Sequence, residues 1–215
     1  MKIQKIRRLS TISRLKSHPL YSSAKAGCMD SANSIAADLI PRITLRPSII
    51  CPVIKASGNR IPLAMAIKLA EQNTLCAYTT QVLLSNPKSH PAMAGRIYSN
   101  PVFSGKVHPT NYTLVDDVYT TGKTLITLKQ YIEDNGGNVI DIICLGSSKA
   151  TGFELSKLDI KRLKGKFPEI NLYYDIMNFT KPMARYVMRF NSLQAFHTRT
   201  NEILYSNYYH GAPHA

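Results

Sequence analysis

The stretch NYTLVDDVYTTGKTL, Asn111 to Leu125, sets an apolar run, two adjacent carboxylates, a Thr-Thr-Gly turn and a Lys-Thr pair side by side. Its first half is rich in apolar and β-branched residues, which predicts a buried strand over Tyr112 to Val118. The pattern that follows predicts a helix over Thr121 to Asn135, stopped by Gly136-Gly137. A strand that ends in such a turn aims backbone N–H groups and hydroxyls at one point, where the positive end of the helix dipole also falls. Gly122 permits the close backbone approach that an anion needs there. The point suits a phosphate. Asp116 and Asp117 would repel a phosphate lodged between them, so they face something else: the hydroxyls of a sugar carrying that phosphate, or a magnesium ion shared with it. The stretch therefore predicts a sugar phosphate.

Two other readings of the same residues fail. A nucleotide P-loop ending at Gly122-Lys123-Thr124 requires glycine where Asp117 stands. A plain helix start capped by Asp and Thr accounts for the threonines but leaves the carboxylate pair unexplained.

Outward from this stretch, short apolar runs alternate with longer helical patterns. Ser31 to Leu39 reads as a short helix ended by Pro41, Ser48 to Ile54 (SIICPVI) as a buried strand, and Ile61 to Gln72 as a helix with Pro62 in its first turn. Thr74 to Leu84 carries a strand, and Asn138 to Leu145 (NVIDIICL) another. Such alternation predicts an α/β fold with a mostly parallel central sheet flanked by helices, whose ligands bind at the carboxyl ends of the strands. Between Leu84 and Tyr112 the pattern gives way to a proline-rich stretch, which predicts a functional loop or lid, with a hairpin through Arg96 to Val107 as the other reading. Beyond Ser148 come basic helix-like material from Phe153 to Lys166, a predicted strand over Ile170 to Ile176, and a Tyr-, Asn- and Arg-rich tail. This gives an arm over residues 1–30, a core over 31–150 and a C-terminal extension over 151–215.

With 215 residues, 44% of them apolar, the chain can bury a real core. It holds no apolar run of membrane-spanning length and no secretory signal, so no membrane association is expected and a cytoplasmic location is. Cys28, Cys51, Cys76 and Cys144 are widely spaced with no C-x-x-C pair, which predicts reduced core thiols, not a disulfide framework or a zinc site. The net charge of +14 attracts polyphosphates or nucleic acid. Residues 1 to 29 carry Lys2, Lys5, Arg7, Arg8, Arg14, Lys16 and Lys25 without an acid, and Ile3, Ile6, Leu9, Ile12 and Leu15 recur at a helix-compatible spacing. This basic amphipathic segment reads first as a helix packed on the domain by its apolar stripe. A nucleic-acid contact and a mitochondrial transit peptide are the other readings.

VDDVYTTGKTL, Val115 to Leu125, resembles the 5-phosphoribosyl-1-pyrophosphate (PRPP) binding motif of the type I phosphoribosyltransferases. The resemblance implies that Asp116 and Asp117 hold the ribose hydroxyls and take part in catalysis, directly or through Mg2+. It implies that Thr120, Thr121, Gly122, Lys123 and Thr124 cradle the 5′-phosphate. IKASGNRIPLAMAIKLA, Ile54 to Ala70, is similar to the family's pyrophosphate loop, although Asn59 and Arg60 stand between Gly58 and Ile61 and lengthen it. Lys55, Ala56, Ser57, Gly58 and Asn59 are the candidates to receive the departing pyrophosphate. Lys88, Arg96 and Lys106 are the candidates to reach it from the lid, and Tyr173, Tyr174 and Phe179 to stack an acceptor base in a hood of terminal segments.

The resemblance thus implies the type I phosphoribosyltransferase fold. It implies transfer of phosphoribosyl from PRPP to a nitrogen acceptor, a nucleobase first of all, with Mg2+ and release of pyrophosphate. A homodimer is expected on the same ground. The alternative from a different class is a regulator of the same fold that senses PRPP or a nucleotide and binds RNA or DNA, through its basic N-terminal arm. The zinc ribbon of competence-type relatives is missing.

Overall fold

The computed structural model describes residues 6–55, 58–85, 97, 101–147, 155–173 and 179–209. They fall into two units, one within Met1–Lys88 and Pro101–Gly152, the other within Ser89–Asn100 and Phe153–Ala215. In chain order the first unit contains β1 (Arg7–Arg8), α1 (Ile12–Lys16), α2 (Tyr21–Lys25), α3 (Met29–Leu39), β2 (Ser48–Pro52), β3 (Ile54–Lys55), α4 (Ile61–Gln72), β4 (Cys76–Tyr78), β5 (Val82–Leu84), β6 (Phe103–Gly105), β7 (Asn111–Tyr119), α5 (Lys123–Asp134) and β8 (Asn138–Ser147).

Five of these strands form one sheet in the order β1-β8-β7-β2-β4, every pair parallel. From β2 the chain crosses through α4 to β4 on one side, and from β7 it crosses through α5 to β8 on the other. Crossovers of parallel strands are right-handed, so two that leave in opposite directions put their helices on opposite faces of the sheet. The neighbours β2 and β7 are then a topological switch point, and it is beyond the carboxyl ends of such strands that open α/β sheets bind their ligands. Covering both faces explains why β7 reads as an apolar run and not as an alternation: Tyr112, Leu114 and Val115 are all buried. Beneath one face Ile35 and Leu39 of α3 and Ile61, Met65 and Leu69 of α4 pack with Ile50, Val115 and Ile143. α5 buries Leu125, Leu128 and Ile132, spaced three and four apart as one helix face requires.

The structure departs from the sequence-based expectation at four places. SIICPVI is two strands, not one. Val53 donates its N–H to the Val115 carbonyl at 2.9 Å, after which β3 leaves for a small second sheet ordered β3-β5-β6. The segment 74–84 is likewise divided, with β4 in the main sheet and β5 in the small one, where β6 pairs with β5 antiparallel. The basic N-terminal segment is not a single helix through Leu15. The free edge of β8 recruits it as β1, with Leu9 and Ser10 N–H groups on the Cys144 and Leu145 carbonyls and Arg7 paired with Asp141. Only then does α1 begin, capped by Thr11 Oγ1, and it sends Leu15 fully into the core. Finally, where a strand is predicted from Ile170, the chain forms a short helix over Ile170–Tyr173, and 174–178 lie outside the described residues. A short apolar run does not by itself separate strand from buried helix. The four cysteines are free. Cys51 and Cys144 are buried as expected, whereas Cys28 is exposed and Cys76 only half-buried.

The second unit is helical: α6 (Lys157–Lys166), α7 (Ile170–Tyr173), α8 (Lys181–Val187) and α9 (Leu193–Tyr209). Leu163, Phe167, Ile170, Phe179, Met183 and Phe196 form its core. Asp159 pairs with Lys181 at 3.5 Å, and Lys166 donates to the Met188 carbonyl at 2.8 Å. These two ties, one at each end, set α6 and α8 side by side in the same direction.

Because Leu15 fills the core of the first unit, Leu15→Ala is expected to lower its unfolding free energy by about 2–4 kcal/mol. Urea denaturation followed by circular dichroism checks this. A loss below about 0.5 kcal/mol would mean that the N-terminal segment is a detachable arm.

Candidate functional site at the switch point

The site is built on the ends of β2 and β7. Asp116 and Asp117 stand near the carboxyl end of β7, both buried. Neighbours on a strand face opposite sides of the sheet. Asp117 accordingly shares a face with Val115, and its Oδ2 lies 2.8 Å from Nζ of Lys25 at the end of α2. Asp116 shares the opposite parity with Leu114, and its Oδ1 accepts the Asp117 backbone N–H at 2.9 Å.

These environments pull the two carboxyls apart. Burial, followed by repulsion from Asp117, pushes Asp116 up to about 7. Burial also penalises an ionised Asp117, but Lys25, with help from Lys55, outweighs it and holds that carboxyl below the ordinary aspartate value. Lys25 loses some basicity to burial and regains more from Asp117, ending above the ordinary lysine value.

Beyond Asp117 the chain turns through Thr120 and Thr121 into Gly122, whose φ of +81° is left-handed and is adopted by glycine at little cost. Thr121 is buried, and its Oγ1 accepts the Lys123 N–H at 3.3 Å. Gly122 opens α5 without a side-chain cap, so the first turn of α5 directs backbone donors and its dipole beyond the carboxyl end of β7. Lys123 and Thr124 are the first two residues of that turn. A cation at a helix N-terminus is unfavourable, and burial lowers the Lys123 ammonium further, to about 8. An anion bound there would relieve both.

The second loop, after β3, meets the end of α2 backbone to backbone. Gly27 and Gly58 both have positive φ, and a Cβ on either would come within 3.2 Å of a carbonyl oxygen, that of Gly58 or Ala26. Arg60 N–H also donates to the Ala24 carbonyl at 3.2 Å. Asn59 is buried. Its Oδ1 accepts the Ile61 N–H at 3.3 Å, opening α4, while its Nδ2 has no partner among the described residues. Lys55, at the end of β3, acts electrostatically on both carboxylates.

The fold thus brings Lys55, Gly58, Asn59, Asp116, Asp117 and the 120–124 turn to the carboxyl ends of two adjacent strands. Ala56, Ser57, Lys88 and Arg96 lie outside the described residues, as does Tyr174. Lys106 is exposed just beyond β6, and Phe179 is buried in the core of the second unit. Sequence reading missed Lys25 as a site residue, because it stands 92 positions from Asp117 and counted only as one charge of a basic arm. The one available signal was the carboxylate pair itself, since buried acids require a counter-charge from somewhere.

The donor set fits a hard divalent cation only in part. Two carboxylates supply suitable oxygens, yet the described residues hold no group of three or more His, Cys, Asp or Glu that could hold a metal. Such an ion would take most of its ligands from a bound substrate and from water. No helix among the described residues is long and apolar enough to cross a membrane.

No family model matches the chain. It is 33% identical to the protein TraN of Escherichia coli over 153 residues, 63% of this chain and 34% of TraN, so it spans about a third of that relative. It is 26% identical over 154 residues to the hypoxanthine/guanine phosphoribosyltransferase of Methanococcus voltae, covering 68% of this chain and 79% of that enzyme. Among solved structures, the adenine phosphoribosyltransferase of Leishmania tarentolae aligns with a TM-score of 0.35 at 15% identity, over 64% of this chain and 75% of that one.

The raised Asp116 has a signed consequence for stability. Between the ordinary aspartate value and about 7 the folded protein holds a proton that the unfolded chain has released, so this contribution is complete at low pH and is lost as pH rises through 7. Asp116→Asn keeps an oxygen for the Asp117 N–H and cannot ionise. It is therefore expected to gain on the wild type by about 1–3 kcal/mol between pH 5 and 8. Thermal melts of both proteins across that range test this, and parallel curves would show that Asp116 titrates normally.

Proposed function

We propose that the chain is a phosphoribosyltransferase that binds PRPP at the switch point and transfers its phosphoribosyl group to a nitrogen acceptor, releasing pyrophosphate. The observation that carries this reading is the buried Asp116–Asp117 pair set directly before the uncapped glycine turn that opens α5. Similarity to a hypoxanthine/guanine phosphoribosyltransferase over most of both chains supports it and makes a purine the first acceptor to test.

In this reading the N–H groups and hydroxyls of residues 120–124 hold the 5′-phosphate, and Lys123 stays charged because the phosphate compensates its burial. Asp117 accepts from the ribose hydroxyls, and Asp116, ionised in that state, accepts with it. Lys55 and the loop with Gly58 and Asn59 face the pyrophosphate, where the unpartnered Asn59 Nδ2 finds an acceptor. The bond from the anomeric carbon to pyrophosphate oxygen breaks as the acceptor nitrogen closes on the opposite face. Positive charge gathers on the ribose in the transition state, pyrophosphate leaves with the bonding pair, and the proton of the acceptor N–H is released to solvent once the C–N bond has formed. The residues act by position and charge, with no covalent intermediate on the protein. Mg2+, if bound with the substrate, would neutralise the leaving pyrophosphate.

The test incubates the protein with Mg2+, isotopically labelled PRPP and a panel of nucleobases, and searches for labelled nucleotides by mass spectrometry. A product that falls at least a hundredfold in Asp116→Asn/Asp117→Asn is the expected result. Intact PRPP with every base, although calorimetry shows that PRPP binds, would replace the transferase by a PRPP sensor. No binding at all would end both readings.

A further inference from the structure

The N-terminal segment does not carry all the free positive charge of this protein. Arg7 is taken by Asp141 and Lys25 by Asp117, while the second unit displays a cationic surface of a different kind. Helix α6 is ten residues long with a single acid, Asp159, which is occupied by the Ser156 capping box and by Lys181. Its apolar side, with Leu163, faces the core. Lys157, Lys161 and Lys164 are all exposed, and their spacing of four and three puts them on one flank. Arg162 is exposed on the other flank. Between the flanks, at the most outward position, stand the exposed Leu158 and Gly165, and a Cβ on Gly165 would touch nothing within 4 Å. Helix α8 lies beside α6 on the Arg162 side, held by the Lys166 and Lys181 ties, and adds the exposed Arg185, with the exposed Arg189 in the turn just beyond its end.

The order across this face is a row of cations, an uncharged strip of one exposed leucine and a glycine, and a second row of cations. A helix seated in the major groove of a DNA duplex meets that charge pattern in reverse, with a phosphate backbone on either side and base edges ahead. The groove, about 12 Å wide, admits one α-helix. We propose that α6 of the second unit docks in the major groove of double-stranded DNA, with Lys157, Lys161 and Lys164 on one backbone and Arg162, Arg185 and Arg189 on the other.

Other polyanions fit this face less well. Duplex RNA has a major groove too deep and narrow for a helix. Single strands are held by exposed aromatic platforms, and among the described side chains of the second unit none of the Phe or Tyr rings is exposed, with Phe167, Phe179 and Phe196 buried in the core. An in-plane membrane helix needs a broad apolar face, whereas that of α6 is already used. The proposal stands apart from the PRPP reading, since it uses no residue of the switch-point site.

The experiment measures fluorescence anisotropy of a labelled mixed-sequence duplex of about 20 base pairs with the full chain, from 50 to 200 mM salt. Competitors are unlabelled duplex RNA, single-stranded DNA and phosphatidylserine vesicles. Binding to duplex DNA is expected, with a steep inverse dependence on salt. Lys161→Glu/Arg162→Glu/Lys164→Glu is expected to weaken it at least tenfold and to flatten the log–log salt slope by about 3. The reference variant Arg14→Glu/Lys16→Glu, equally exposed but on the first unit, leaves it within about twofold. Circular dichroism melts confirm that both variants are folded. If the triple variant does not fold, Lys161→Gln/Lys164→Gln takes its place, with the slope expected to fall by about 2. Absence of duplex binding at 50 mM salt, equal losses in the two variants, or stronger competition by RNA, single strands or vesicles would each overturn the proposal.

Discussion

Two neighbouring carboxylates held out of water at the end of a central strand form the constraint around which the first unit is arranged. An isolated buried aspartate is expensive, and a second beside it doubles the charge to be compensated. The fold meets this cost unequally. Asp117 is given Lys25 at 2.8 Å and stays ionised at neutral pH. Asp116 is given a backbone N–H and is left poised near neutrality. One carboxylate is thus settled and the other is available, its charge to be fixed by whatever cation or hydrogen-bond donors arrive. Strain of this kind is what a structure keeps when a site matters more than stability.

The counter-charge arrives from the segment that composition alone marks as an appendage. For Lys25 to reach β7, α2 must end against the loop after β3, and the backbones there are so close that a Cβ on Gly27 or Gly58, already strained by a positive φ, would crowd a carbonyl oxygen at 3.2 Å. The same stretch buries Ala24 and Leu15 and closes the β8 edge with β1. The acid-free character of residues 6–27 follows from this role. A segment that must supply a cation to a buried acid and lie along an edge strand bearing Asp141 has little use for acids of its own.

What could be read from the sequence was what is local. The helix over Ile61–Gln72 is announced by Pro62 and by apolar spacing within one segment, and the strand and helix around Asp116 by periodicities within fifteen residues. Both loops of the site were visible for the same reason, since a strand end, a glycine and a helix start are neighbours in the chain. The unread parts are partnerships across distance: Lys25 with Asp117, Arg7 with Asp141, Val53 with Val115. No spacing rule encodes such pairs. The split of SIICPVI between two sheets belongs here too, because it depends on where β5 lies, thirty residues on, and not on the run itself. At Ile170 the difficulty was another: four apolar-rich residues satisfy strand and helix equally, and the helical cluster around Phe167 decided between them.

The net charge of +14 is better understood as two separate populations than as one property. Cations of the first kind, Lys25, Lys55 and Lys123, are half-buried at the site, where burial and partners alter their titration or that of the aspartates they face. Salt screens such groups weakly. Cations of the second kind, on α6 and on or just beyond α8, stand in solvent and act through a field that ordinary salt cuts off within about 8 Å. A small phosphorylated ligand in a crevice calls for the first arrangement and an extended polyanion for the second. The two tasks favour different elements, since a cation that stands fully in solvent keeps its charge but is too well hydrated and screened to compensate a buried carboxylate strongly.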